Sequence, residues 1–133
     1  MTDQANENYF NALIDADLGF NETLAIEAVN RAEAAGKKLG ELFAQMTDDQ
    51  RDNELGHATD FGEYLHESAF IEDAYTGDYE GDDMEVDAAR CRYIAAVAFE
   101  HFTELRKAFK PAERNEHVNP IFQNIINQIT GAA

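Results

Sequence analysis

Between residues 84 and 109 the apolar positions Cys91, Ile94, Ala95, Ala98, Phe102, Leu105 and Phe109 recur at three- and four-residue spacing. That is the repeat of one helix face; a strand would need alternation. A second stripe, Leu24, Ala28, Ala32, Ala35, Leu39, Leu42, Phe43 and Met46, has the same period. Its middle is alanine, so another helix backbone can approach it closely. Strand signals are almost absent elsewhere, and there is neither an internal repeat nor a low-complexity linker. These two stripes restrict the chain to an all-α fold.

Local signals set the expected boundaries. A first helix runs from residue 3 or 6 to 18, with Phe10, Leu13, Ile14 and Leu18 on or near one face, and Gly19 breaks it. Asn21 is placed to cap the second helix. Thr47-Asp48-Asp49-Gln50 matches a capping box and opens a third helix, with Ala58, Phe61, Leu65, Ser68 and Ala69 on its apolar side. Gly56 and Gly62 weaken that helix by roughly 1 kcal/mol each relative to alanine. Residues 75–83, with Gly77 and Gly81, read as a loop before the fourth helix at 84–109, which Lys110-Pro111 ends. Pro120 suits the first position of a short last helix carrying Ile121, Phe122, Ile125, Ile126 and Ile129, which Gly131 stops. The expected architecture is one domain, residues 1–133: an antiparallel bundle of four longer helices plus a short C-terminal helix, packed across an end or given to a partner.

Charge is distributed very unevenly. Residues 48–87 hold fifteen acids against one base, Arg51, and so carry −14 of the chain's net −17. Such crowding opposes folding by self-repulsion and is a poor way merely to stay soluble. Salt adaptation would disperse the acids instead of concentrating them. With 44% hydrophobic residues, nine Phe and five Tyr, the chain is not a disordered acidic tail. An acidic surface repels nucleic acid and anionic lipid, so basic proteins are its natural partners. The lone cysteine excludes an internal disulfide and fits a reducing compartment. The N-terminus lacks a basic and apolar leader, and the longest apolar run is 93–99, so a cytoplasmic location with no membrane span is expected.

Several motifs bear on chemistry. Glu54-Leu55-Gly56-His57 has the Glu-x-x-His spacing of ferritin-like di-metal bundles. Its only other copy, Glu63 to His66, lies on the same expected helix roughly half a circle away, so the two cannot share a metal. Residues 76–87 can be laid on a twelve-residue calcium loop with Gly81 at position six, but Thr76 stands at position one and the shorter Asp87 at position twelve. Cys91 sits in an apolar stripe, where a thiol is packing. His66, His101 and His117 have no local nucleophile, and no phosphate-cradling glycine loop is present. Neither a cofactor, a metal centre nor an enzymatic activity is expected.

On the third expected helix, Asp49, Asp52, Asp60, Glu63 and Glu67 gather opposite the apolar side. They span about 27 Å at about 1.5 Å per residue. A DNA strand carries roughly eight phosphates over that distance. Adding Glu72, Asp73, Asp78, Glu80, Asp82 and Asp83 brings the face toward the charge density of a nucleic-acid backbone, and a two-fold dimer would lengthen it. Tyr64, Tyr75 and Tyr79, interleaved among the acids, are candidate anchors. The expected role is binding a basic, nucleic-acid-binding protein by mimicry, the strategy of phage anti-restriction and some anti-CRISPR proteins, with which the likeness is one of size, helicity and charge. The competing expectations are an adaptor or virion component docking through the last helix, a ferritin-like metal bundle, and an acidic surface that is merely solvated.

Overall fold

The computed structural model describes residues 2–15, 21–55, 64, 81–108 and 116–130. Five helices account for these residues almost entirely: α1 (Thr2–Asp15), α2 (Glu22–Gln45), α3 (Asp48–Leu55), α4 (Gly81–Ala108) and α5 (Val118–Thr130). Among the described residues there is no strand.

Helix α2 begins where expected. Asn21 has extended backbone, and its side chain accepts the Leu24 amide at 2.9 Å. At the other end the Met46 carbonyl accepts from Arg106 Nη2 at 2.5 Å, which satisfies an acceptor just past the helix terminus. The capping box also forms: Thr47 Oγ1 accepts the Gln50 amide at 3.3 Å, and Gln50 Oε1 accepts the Thr47 amide at 3.1 Å.

The largest interface joins α2 to α4, and two glycines make it close. A Cβ on Gly36 would lie 2.7 Å from Val97 Cβ and 2.8 Å from the Ile94 carbonyl oxygen. At Gly40 it would lie 2.7 Å from the Ala98 carbonyl oxygen. Neither position tolerates a side chain unless the helices separate.

The same contacts fix direction. Gly36 meets Ile94 and Val97, Gly40 meets Ala98, and Met46 meets Arg106, so numbering rises together and α2 and α4 run parallel. Alternating directions make the second and fourth helices of an antiparallel bundle parallel, as here, but in this chain they are close neighbours and not a diagonal pair. Parallel neighbours need a long return, and residues 46–80, which include α3, supply it. Helix α1 runs antiparallel to α4, with Thr2 Oγ1 donating to Glu100 Oε2 at 2.9 Å and Asn6 Nδ2 to the Tyr93 hydroxyl at 3.0 Å. Helix α5 is likewise antiparallel. Phe122 stacks on Phe43 with ring centroids 5.4 Å apart, and Arg90 Nη2 donates to the Ile129 carbonyl at 2.8 Å.

The last helix is therefore a full member of the bundle. It starts at Val118, which places Pro120 third rather than first, still inside the turn whose amides have no helical partner. Phe122, Ile126 and Ile129 are buried, while Ile121 is 47% exposed. The apolar stripes are also shifted from their expected phases. In α2 Ala25 is buried and Leu24 exposed; in α1 Tyr9 and Leu13 are buried and Ile14 exposed. Helix α4 also buries Tyr93, which meets Tyr9 and Asn6 of α1, and Val97, which packs against Gly36 of α2. No helix of the described residues is long and apolar enough to cross a membrane.

Candidate functional site

Helix α3 carries the start of the acidic segment and has two unlike sides. Gln50 faces inward and is completely buried, its Nε2 donating to Asn119 Oδ1 at 2.7 Å. One turn on, Glu54 accepts from Asn119 Nδ2 at 2.6 Å and from Gln123 Nε2 at 2.7 Å. Gln123 also donates to the Tyr64 hydroxyl at 2.7 Å. This amide and carboxylate clasp fastens α3 to the first two turns of α5. Burial raises the Tyr64 phenol above its usual range, opposed by the Gln123 hydrogen bond and reinforced by the Glu54 charge.

The outer side of α3 presents Asp48, Asp49 and Asp52, all exposed. Asp48 pairs with Arg51 at 2.5 Å and lies 4.0 Å from Arg106. Those two guanidinium groups lie over Phe102, 4.7 and 5.1 Å from its ring centroid, so they rest on the bundle, and Asp48 is the one carboxylate they pair with among the described residues. Asp49 and Asp52 have no ion pair among the described residues.

At the far end of the acidic segment, helix α4 begins at Gly81, not after Asp83. Asp82 and Asp83 thus belong to its first turn. This overturns the calcium-loop alignment: positions six to twelve of that frame, Gly81 to Asp87, are α-helical. Glu85 is exposed and without an ion pair among the described residues, whereas Asp87 is paired with Arg90 at 2.6 Å. The remaining residues expected on the face, Asp60, Glu63, Glu67, Glu72, Asp73, Tyr75, Asp78, Tyr79 and Glu80, lie outside the described residues. Tyr64 is half-buried against the core, its hydroxyl turned to Gln123 of α5.

Other candidate chemistry is quickly placed. Both carboxylate oxygens of Glu54 hold amide donors, and its expected metal-ligand companion His57 is outside the described residues. Among the described residues no group of three or more His, Cys, Asp or Glu is arranged to hold a metal. His101 Nε2 lies 3.6 Å from Glu41, on the surface.

Cys91 is fully buried, and burial pushes its thiol up to about 12. Tyr9 and Tyr93 are also raised, mainly by burial. These acids keep their protons in the folded chain at a pH where the unfolded chain releases them. Stability should therefore fall as pH rises from the thiol's ordinary 9.0 toward about 12. The slope from one such group is about 1.4 kcal/mol per pH unit, read as a lower urea midpoint at about pH 10 than at about pH 8. An unchanged midpoint would mean that the thiol and phenols are hydrated.

The clasp was not legible in advance, because Gln50 and Asn119 are 69 residues apart. No family model matches this chain, nor does any curated protein or solved structure compared with it.

Proposed function

We propose that the chain is a non-enzymatic protein that binds a basic partner, presenting carboxylates where that partner ordinarily meets nucleic-acid phosphates. Inhibition of a DNA- or RNA-binding enzyme, in the manner of anti-restriction or anti-CRISPR proteins and in the cytoplasm, is the form of this role that the charge supports best. The observation that carries it is the state of the segment's described carboxylates: Asp48 and Asp87 are held in ion pairs and Glu54 by amide donors. Lys37, Lys38 and Lys107 pair instead with neighbouring acids of their own helices, outside the segment. Asp49, Asp52 and Glu85 are exposed and have no ion pair among the described residues.

The clasp adds preorganisation. A carboxylate on a helix held by buried Gln50 and by Glu54 loses little freedom when a cationic groove closes over it. Docking through the last helix has less to recommend it, since Phe122, Ile126 and Ile129 are already covered by this chain.

The immobilised protein, offered host lysate at about 50 mM salt, should capture nucleic-acid-binding proteins and lose most of them at about 200 mM. Duplex DNA or structured RNA added as competitor should release the same proteins. Capture that neither salt nor nucleic acid reduces overturns this role.

A further inference from the structure

A groove between α1, α2, α4 and α5 gathers three of the chain's ten Lys and Arg residues. It encloses about 600 Å³, and its floor is apolar: Ala28, Ala32, Ile94, Ile125 and Ile129. Arg31, Lys38 and Arg90 stand on its walls, and no carboxylate is among the described residues that line it. Two of these cations are ion-paired, Lys38 to Glu41 at 3.9 Å and Arg90 to Asp87 at 2.6 Å.

Two polar groups there lack partners. Tyr9 is only 4% exposed and lines the groove, yet its hydroxyl makes no hydrogen bond among the described residues. Arg90 uses Nη2 on Asp87 and on the Ile129 carbonyl, but its buried Nε has no partner. The Tyr9 hydroxyl is not among the buried unpartnered atoms, so it opens on the groove and can donate to a ligand that supplies an acceptor. Arg31 is exposed and has no ion pair among the described residues. The volume falls within the range of small-molecule sites, which combine an apolar lining with a few placed polar groups.

We infer that this groove binds a small anionic amphiphile, an acyl chain ending in a carboxylate. The carboxylate accepts hydrogen bonds from Tyr9 and Arg31, with Lys38 and Arg90 adding charge, and the hydrocarbon lies on the alanine and isoleucine floor. A wholly polar anion leaves that floor wet. A neutral chain leaves the donors unsatisfied. The acidic surroundings exclude larger polyanions, which the outer carboxylates repel.

The test is calorimetric titration of the full chain with dodecanoate, dodecanol and acetate, with amide NMR shifts to locate the site. Dodecanoate should bind at one site, at least about tenfold more tightly than either analogue, since a charge-assisted hydrogen bond contributes about 1.5–3 kcal/mol. The shifts should centre on Ala32, Ile94 and Ile129. Tyr9→Phe should weaken dodecanoate about tenfold and leave the urea midpoint unchanged, because that hydroxyl has no partner in the free protein. Arg31→Gln combined with Lys38→Gln should weaken it at least as much and flatten its salt dependence. Absence of saturable dodecanoate binding, equal affinity for dodecanol, or shifts centred elsewhere each overturn the assignment. So does affinity that neither substitution changes.

Discussion

Phe43→Ala is expected to lower stability by about 3–5 kcal/mol, the usual cost of emptying a fully packed phenylalanine site. That is a large fraction of the 5–15 kcal/mol, in rough terms, that holds a domain of this size together. Phe43 is 2% exposed and joins three helices. Its ring stacks on Phe122 of α5, meets Phe99 and Phe102 of α4 edge-on, and lies 5.6 Å from the Arg51 guanidinium of α3. Removing it weakens at one stroke the seat of α5 and the footing of α3. Urea unfolding measures the loss. Cys91 offers a second readout, because its thiol is fully buried and protonated in the folded chain. Maleimide labelling should be slow in the native protein and should accelerate roughly as the unfolded population grows. Phe43→Leu, which keeps most of the volume, should cost less than half as much. Equal loss from both substitutions would show that ring contacts, not volume, hold α5 in place.

What the sequence made visible is what neighbouring residues decide. The Asn21 cap and the Thr47 to Gln50 box are contacts across three residues, and both form as expected. The stripes of α2 and α4 are also visible, because a helix with a covered side repeats its apolar residues at fixed spacing. Their phase was less certain. Leu24 and Ala25 are adjacent, and only the position of α4 decides that the smaller one goes inside. Tyr93 and Val97 fall outside a single stripe because α4 is covered from two directions. Gly36 and Gly40 did carry a signal, small residues four apart in line with Ala28 and Ala32, and it marks where α2 and α4 come too close for a side chain.

Helix neighbours and distant pairing left no such trace. That α2 and α4 pack side by side depends on how residues 46–80 return the chain, which periodicity does not report. The polar clasp joins Glu54 to Gln123 over 69 residues, and each of those side chains by itself reads as ordinary solvated surface. The acidic face was legible as a concentration of charge, but its boundary was not. Asp48 and Asp87 are drawn to arginines three residues along their own helices, while Asp49 and Glu85 nearby stay free of such pairs among the described residues. A cationic groove within a strongly anionic chain was invisible for a related reason: Arg31, Lys38 and Arg90 are spread over sixty residues of sequence and meet only in the fold.

Reversing Asp49, Asp52 and Glu85 to lysine in one chain should abolish partner binding while leaving a folded protein. The three carboxylates are exposed and unpaired among the described residues, so their replacement costs little in contacts. Loss of favourable helix-dipole interactions near the starts of α3 and α4, about 0.3–1 kcal/mol each, is offset by relief of repulsion within the acidic segment. At a cationic interface the same exchange sets like charges against each other, which costs several kcal/mol, so affinity for the captured partner should drop at least about 100-fold. Net charge moves from −17 to −11, since each reversal adds two. A control separates local charge from total charge. Reversing Glu7, Asp15 and Glu27, exposed acids of α1 and α2, changes net charge identically but lies outside the acidic segment. If partner binding depends on carboxylates held in a particular arrangement, this control keeps most of the affinity, and its association slows only modestly through the weaker long-range field. Equal loss in both variants would reduce the interaction to bulk electrostatics. Full binding by the first variant would remove the acidic face from the interface altogether.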